Sequence, residues 1–355
     1  MQEKLETTLA SLVAIPSESR NRGACHQIIE YVRSELEPLG LFVHVDIDRD
    51  NPYLIATTQN TKHPHYLLLA HLDVVPAHPS QYTVTSVEDR LLGRGVFDMK
   101  FAAACFIEFA KQHHETLKDQ SVGFAFTTDE ELGGQSVSDI LAAGWRANVV
   151  FIPDGGMGWK IEERAKGFSL TEITATGKAA HASRPAEGSN AITNLLPFLA
   201  DIKKRYPLKL ASDPTLTIST FHAGDAWNQV PDTATVTIDF RAFEEEAIAE
   251  HLTYIEAQSK LYGFSFKTPV RSKPLLLDRT HPDVVHFIAK MEIATGNPVS
   301  FSESFGGTDG RWFAAYDIPC IIVQPNGGGH HSANEWLHRS DLTKYYQLLE
   351  TWLLP

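Results

Sequence analysis

The stretch YLLLAHLD, residues 66–73, indicates the fold class of the chain more clearly than any other segment. Its first five residues form a short continuous apolar run, as expected of a β-strand that is buried on both faces of a sheet. His71 and Asp73 follow this run two residues apart, so both side chains project to the same side of an extended strand end. The stretch therefore predicts a central strand that delivers an imidazole and a carboxylate to one edge of a sheet.

The same arrangement recurs twice further along the chain. Apolar segments at 122–126 and 149–152 are predicted strands, and acids follow each of them, at 129–131 and at Asp154. A helical pattern at 101–109 lies between strands, and strands that alternate with helices indicate an α/β fold. We expect a mostly parallel sheet with helices on both faces, and functional groups in such sheets collect at the carboxyl ends of the strands.

A second domain is expected, because 355 residues exceed the usual size of a single domain. From about residue 167 the pattern changes to β-type alternation interrupted by two helical stretches, which predicts an α+β sandwich. We expect residues 1–166 and 272–355 to form a catalytic metal-binding domain, and residues 167–271 to form an inserted lid and dimerisation domain. The predicted lid strands are 168–176, 215–221, 233–241 and 264–270, and its predicted helices are 190–205 and 244–261.

Composition excludes several classes of partner. The chain carries 31 basic and 44 acidic residues, a net charge of −13, which argues against nucleic acid or an anionic membrane as a partner. No apolar run approaches the roughly 20 residues that a membrane helix requires, and the first residues lack the apolar stretch of a signal peptide. We therefore expect a cytoplasmic, soluble protein whose scattered cysteines are buried thiols. They are Cys25, Cys105 and Cys320.

Five short segments carry acids and histidines in an order that suggests a metal centre. Together they offer two histidines and three carboxylates as ligands, with a further glutamate for proton transfer. Two divalent cations need this set when they share a bridging carboxylate and activate a water molecule. The segments are 70–73, 95–98, 128–131, 152–155 and 331–335.

Three of the five segments also have a purely structural explanation. Asp98 could cap the helix that follows it, the acids at 129–131 could form an exposed loop, and Asp154 precedes two glycines and could belong to a turn. His330 and His331 are adjacent, and adjacent histidines do not easily reach one site together. The joint occurrence of the five segments is what favours the metal centre.

In these motifs and their order, the chain resembles the family of zinc aminoacylases, acetylornithine deacetylases, succinyl-diaminopimelate desuccinylases and related di- and tripeptidases. The resemblance spans nearly the whole chain. It implies two zinc ions, although carboxylate and imidazole ligands also accept cobalt or manganese. The implied ligands are His71, Asp98 and Asp154 for one metal, and Asp98, Glu131 and His331 for the other, with Asp98 bridging.

The resemblance also implies how the reaction proceeds. Glu130 corresponds to the general base that deprotonates the attacking water and later protonates the leaving amine. Asp73 corresponds to a residue that orients His71. The spacing from His331 to Asn334 and Glu335 fits the family better than a register that uses His330.

In the predicted lid, the segment 177–185 resembles the start of the family's lid domain. Its histidine, His181, corresponds to one that commonly reaches into the partner subunit's site to stabilise an oxyanion, which implies a homodimer formed through the lid. Asn228 and Arg241 match lid residues that hold substrate, although Arg241 could instead form a surface ion pair with the acids at 244–246. Gly307 and Thr308 lie in a segment that matches a loop lining the substrate pocket.

The substrate class stays open between a small peptide and an N-acyl amino acid. In this family an aspartate at the position of Asp154 tends to accompany peptidases, whereas the single-lid architecture also resembles the deacetylases. The alternative function is a catalytically silent binding or regulatory relative, which would be expected to lack a ligand or the base. A serine or cysteine hydrolase is disfavoured because the chain has no GxSxG motif and its cysteines have no obvious activating partner.

Overall fold

The computed structural model describes residues 1–207 and 214–355. These residues form two compact units. The α/β unit comprises residues 1–163, 276–304 and 308–355, and the α+β unit comprises the described part of residues 164–275 together with residues 305–307. Residues 305–307 return to the α+β unit, which the sequence pattern did not predict.

The helices vary from one to five turns. Two of them begin at asparagine caps, since the Asn21 side chain accepts a hydrogen bond from the Ala24 amide and the Asn190 side chain accepts from the Ile192 amide. The helices are α1 Gln2–Val13, α2 Arg22–Leu36, α3 Lys100–His113, α4 Gln135–Ala142, α5 Ala191–Arg205, α6 Glu245–Tyr262, α7 Pro282–Thr295, α8 Gly310–Ala314 and α9 Arg339–Leu353.

The strands are short except in the α+β unit. They are β1 Phe42–Asp46, β2 Tyr53–Thr57, β3 Tyr66–His71, β4 Thr85–Val87, β5 Arg90–Leu92, β6 Val122–Thr127, β7 Val149–Ile152, β8 Lys160–Ala165, β9 Gly167–Thr176, β10 Ala180–His181, β11 Thr215–Ala223, β12 Gln229–Val230, β13 Thr233–Ala242, β14 Ser265–Ser272, β15 Leu275–Leu276, β16 Ser300–Ser304, β17 Cys320–Ile322, β18 Gly327–Gly328 and β19 Trp336–His338.

The main sheet of the α/β unit has the strand order β1-β2-β6-β3-β7-β17. The β6–β3, β3–β7 and β7–β17 pairs are parallel, whereas the β1–β2 and β2–β6 pairs are antiparallel. The sheet is therefore mixed, and the expectation of a mostly parallel sheet holds only for its four-stranded half. The reason is the short connection at 47–52, which allows an antiparallel hairpin but not a parallel crossover.

The parallel half of the sheet is the hydrophobic centre of the α/β unit. β6 is buried along its whole length, as is β3 except for its first residue. Helix α3 is buried from Lys100 to Ala110 and packs against α1, α9 and β3. Because β3, β6, β7 and β17 run in the same direction, their carboxyl ends lie at one edge of the sheet, and the loops that follow them meet there.

The α+β unit contains an antiparallel sheet of order β11-β13-β9-β14. Buried residues alternate with half-buried ones along β9 and β13, as expected of strands with one covered face. The covered face packs against α5 and α6, so the unit is a two-layer α+β sandwich. Its core includes Ile173, Val236, Ile238, Leu195, Phe198 and Ile255.

None of the helices among residues 1–207 and 214–355 combines the length and the hydrophobicity needed to cross a membrane.

Candidate metal centre

Five side chains from five separate segments of the chain converge at the carboxyl edge of the main sheet. They form two clusters, and within each cluster one ligand-type atom per residue lies within 4.8 Å of the others. The first cluster is His71, Asp98 and Asp154, and the second is Asp98, Glu131 and His331. Asp98 belongs to both clusters, so the arrangement has the form of two adjacent sites that share one carboxylate.

His71 is the last residue of β3 and its side chain is only 2% exposed. Its Nε2 lies 3.0 Å from Asp98 Oδ1, and its Nδ1 lies 3.0 Å from the backbone carbonyl of Asp73. A carbonyl can only accept, so the proton of the neutral ring is held on Nδ1 and Nε2 is left for a metal. The carboxylate of Asp73 is a more distant neighbour, with Oδ1 3.5 Å from His71 Nδ1.

The Asp73 carboxylate has its main partners elsewhere. It accepts hydrogen bonds from the hydroxyl of Ser19 at 2.7 Å and from the backbone amides of Glu130 and Glu131, both at 3.2 Å. Asp73 therefore holds the turn that carries Glu130 and Glu131, while its own backbone orients His71. The hydrogen bond between Asp73 and Ser19 could not be predicted from the spacing of His71 and Asp73 alone.

The three consecutive acids after β6 have different surroundings. Asp129 is buried, and its Oδ2 accepts a hydrogen bond from the Ser136 amide at 2.8 Å, near the start of α4. Glu130 and Glu131 lie in a one-turn 3₁₀ helix, and Glu131 belongs to the second cluster. Asp129 thus has a structural role, and the acids do not form an exposed loop.

The adjacent histidines at 330 and 331 also have different contacts. His331 Nε2 lies 3.2 Å from Asp98 Oδ2 and 3.1 Å from Glu131 Oε1. The ring of His330 instead packs edge-on against Phe97, with ring centroids 4.8 Å apart. His331 adopts a left-handed backbone conformation, φ 57°, and its ring lies nearly perpendicular to that of His330, with ring centroids 6.5 Å apart.

The electrostatics of the centre show an excess of negative charge. Burial raises the pKa of Asp154 to about 7, and the charge of Asp98 contributes to the rise. Burial followed by the charge of Asp154 raises the pKa of Glu130 well above its ordinary value. The Glu131 carboxyl has a raised pKa chiefly because it is buried. Burial also opposes ionisation of Asp98, but its bonds to His331 and His71 outweigh burial and lower its pKa.

This donor set fits a pair of divalent cations. Two imidazoles and three carboxylates are ligands that zinc, cobalt and manganese accept. Carboxyl groups whose pKa is raised by burial and by one another lack compensating positive charge, which bound cations would supply. The residues His71, Asp98 and Asp154 would hold one ion, and Asp98, Glu131 and His331 would hold the other.

Two of the residues expected in the lid lie together in the α+β unit. β10 pairs with β12, so that His181 is opposite Gln229, and the Ala182 amide donates to the Asn228 carbonyl at 2.8 Å. His181 is exposed. Its Nδ1 accepts a hydrogen bond from the Ser183 amide at 3.2 Å, so the proton of the neutral ring is on Nε2.

Arg241 lies on β13 of the same unit. Its guanidinium forms an ion pair with Asp239, two residues earlier on the same strand, with 2.9 Å between Nη2 and Oδ2. The alternative pairing with the acids at 244–246 is not the one that the structure records for this side chain. Of the two residues expected in a pocket loop, Gly307 is exposed and belongs to the α+β unit, and Thr308 is buried and belongs to the α/β unit.

Several buried residues near the centre were not identified from the sequence. Asp309 is 1% exposed, and burial raises the pKa of its carboxyl to about 7. Burial also raises the pKa of Glu162 to about 7, and its Oε1 accepts from the Gly156 amide at 3.0 Å, next to the Asp154 loop. Asp309 directly follows Gly307 and Thr308, which were predicted to line the substrate pocket. No sequence pattern indicated Glu162, because its partner lies across a turn.

Comparison with known proteins gives the family. Residues 67–354 match the model of Peptidase family M20/M25/M40. A succinyl-diaminopimelate desuccinylase of Janthinobacterium sp. (strain Marseille) is 26% identical over 350 residues, which cover 91% of this chain and 91% of the relative. A probable carboxypeptidase of Paracoccidioides lutzii is 27% identical over 303 residues, 76% of this chain and 68% of the relative. The match to a probable carboxypeptidase of Paracoccidioides brasiliensis spans 58% of that relative's length.

Solved structures share the fold. A tripeptidase from Staphylococcus aureus superimposes with a TM-score of 0.78 at 22% identity, covering 99% of this chain and 98% of that one. A Bacillus subtilis protein described as a dinuclear metal binding peptidase of the M20 family gives a TM-score of 0.72 at 18% identity, with 99% and 97% covered. The family match covers most of the chain and includes all five converging side chains, so the protein belongs to the M20/M25/M40 peptidase family.

Proposed function

We propose that this chain is a two-zinc hydrolase that cleaves the amide bond of a small peptide or an N-acyl amino acid. The observation that carries the proposal is the position of Asp98 between the two clusters, with Oδ1 facing His71 and Oδ2 facing His331. A carboxylate whose two oxygens face two different ligand groups can bridge two cations. When bound, the cations would lower the pKa of the attacking water and polarise the substrate carbonyl.

Glu130 is proposed as the general base. It precedes the ligand Glu131 in the same turn, and both of their amides are anchored by Asp73. Its pKa is raised by burial and by Asp154, which suits a carboxylate that must first accept and later release a proton. Glu130 would take the proton from the attacking water and deliver it to the nitrogen of the leaving amine.

We assign the α+β unit the role of lid and of dimerisation domain. His181 supports this assignment because its ring is exposed and its Nε2 carries the proton of the neutral form. An Nε2–H is the donor that a developing oxyanion needs, and in a homodimer it would reach the partner's centre. Asn228, Arg241, Gly307 and Thr308 are proposed to hold the substrate. The buried free cysteines fit a cytoplasmic enzyme in a reducing compartment.

Release of amine from two substrate panels, dipeptides and N-acyl amino acids, tests this proposal. The zinc-loaded protein is expected to cleave members of one panel, and the chelator-stripped protein is expected to be inactive. Cleavage confined to dipeptides would agree with the aspartate at 154, whereas cleavage confined to acyl amino acids would agree with the desuccinylase among the relatives. Equal activity with and without the chelator would contradict the metal mechanism.

A further inference from the structure

Glu335 is a buried carboxylate to which the proposed mechanism assigns no role. It lies four residues after His331, is 1% exposed, and has no contact with solvent that could stabilise its charge. A buried charge is retained only where partners compensate for it. The hydrogen-bond partners of Glu335 therefore show which part of the structure compensates for its charge.

Every partner of the Glu335 carboxylate lies in the loop that carries Asp98. Oε1 accepts from the amides of Phe97 at 2.9 Å and Asp98 at 3.0 Å. Oε2 accepts from the Gly95 amide at 3.0 Å and from Arg94 Nη1 at 2.6 Å. One carboxylate thus binds three backbone N–H groups and a guanidinium within five consecutive residues.

The same contacts connect this loop to the segment that carries His331. Arg94 Nη2 donates to the backbone carbonyl of Ser332 at 3.1 Å, and the Gly93 amide donates to the Glu335 carbonyl at 3.3 Å. Ser332 directly follows His331. The loop of Asp98 and the segment of His331 are therefore joined through the backbones of Ser332 and Glu335 as well as through the Glu335 carboxylate.

The backbone around these contacts leaves little freedom for adjustment. Gly95 has φ +83°, and a Cβ there would lie 3.0 Å from the side chains of Val74 and Lys100. Gly329 has φ +75°, and a Cβ there would lie 2.3 Å from the Asn334 carbonyl oxygen. Both loops are tightly packed, so a change at their junction is transmitted to Asp98 and His331.

We propose that Glu335 is a positioning residue of the metal centre, which sets the distance between Asp98 and His331 through the amides of the 94–98 loop. The inference rests on the proposed function in taking these two residues as ligands. It predicts that Glu335 determines metal affinity without touching the metal, because residues behind metal ligands typically change affinity by about 10–100-fold. The ion held by Asp98, Glu131 and His331 is expected to be affected more than the other.

A calorimetric titration of the metal-stripped full chain with Zn²⁺, which measures the affinity for each ion, tests the inference. In Glu335→Gln the amide nitrogen would face donors on at least one side, and we expect the ion held by Asp98, Glu131 and His331 to lose about 10–100-fold in affinity. Glu108→Gln is the matched control, since Glu108 is 5% exposed and binds Thr8 and Lys111, neither of which is near a ligand. It is expected to bind zinc as the wild type does.

If Glu335→Gln does not fold, Arg94→Lys replaces it, because a lysine keeps the charge but cannot bind both Glu335 and Ser332 in the same way. Loss of affinity for one ion in either variant, with the control unchanged, supports the inference. Wild-type affinity for both ions in a folded variant overturns it. A wild type that binds no pair of ions would instead contradict the metal centre and the proposed function with it.

Discussion

The metal centre and the proposed substrate residues of the lid are built in different ways. The centre lies at the edge of a buried, largely parallel sheet, and His71 and Asp98 are almost fully buried and bonded to one another. In the α+β unit, His181 is exposed at the end of β10, Asn228 is exposed directly before β12, and Arg241 is bonded to Asp239. A preorganised centre holds its geometry without substrate, whereas the exposed residues acquire a role only when substrate or a second subunit meets them.

The largest expected effect concerns the base within the preorganised centre. Glu130→Gln keeps the size of the side chain but removes its ability to accept a proton, so kcat should fall by about 10²–10⁴-fold. Zinc content should stay at the wild-type value, because Glu130 belongs to neither ligand cluster. Steady-state amine release and elemental analysis check the two parts. Wild-type kcat in this variant would remove Glu130 from the mechanism.

A substitution of His181 tests the role of the exposed residues in the α+β unit. His181→Ala removes the imidazole N–H and should lower kcat by about 10²-fold through loss of an oxyanion donor, with the metal content unchanged. Ser183→Ala is the control, because it removes the hydroxyl partner of His181 Nδ1 but retains the amide that fixes the tautomer. Full activity in His181→Ala would remove His181 from the mechanism.

The two adjacent histidines provide a matched pair within one loop. His331→Ala should bind one zinc ion where the wild type binds two, because its Nε2 faces Asp98 and Glu131. His330→Ala should bind two, since His330 contacts Phe97. Elemental analysis after dialysis measures both. The opposite result, with the loss in His330→Ala, would reverse the ligand assignment.

The smallest effect concerns the stability of the α+β unit. His251 is fully buried, its ring stacks on Phe240 at 3.9 Å, and burial, assisted by the charge of Arg205, lowers its pKa from 6.5 to about 3. The unfolded chain therefore binds a proton that the folded chain excludes between pH 6.5 and 3. Stability is fully present above pH 6.5 and falls with decreasing pH, by up to about 1.4 kcal/mol per unit.

Thermal unfolding of His251→Leu between pH 7 and 4 measures this contribution. The variant should lose less stability than the wild type as the pH falls, and its Tm should depend less on pH. The exposed His222 gives the control variant His222→Leu, which should follow the wild type. Equal pH dependence in all three proteins would contradict a buried neutral His251.

The parts of the centre that follow strands were predictable from the sequence. Apolar runs that end in His71, in the acids at 129–131 and in Asp154 place these residues at one sheet edge by the topology of parallel strands alone. The pairing of β1 with β2 and of β2 with β6 was not predictable, because no acid or histidine of the predicted centre follows β1 or β2. It is also the pairing that makes the sheet mixed.

The supporting contacts were beyond sequence reasoning for a different reason. Glu335 and Gly95 are 240 positions apart, and nothing local to either residue indicates that they meet. Asp129 was one of three similar acids, and only the packing of α4 shows that it binds the Ser136 amide. Residue type and spacing therefore identify which side chains collect at the centre, while the residues that hold them in place depend on tertiary contacts.

The most direct test of the account is the number of zinc ions bound by the wild type and by Asp98→Asn, counted by elemental analysis after dialysis against a weak chelator. Asp98 is the residue that the two clusters share, so we expect two ions in the wild type and none in the variant. Retention of one tightly bound ion in Asp98→Asn, or a single ion in the wild type, would contradict a centre built around a shared carboxylate.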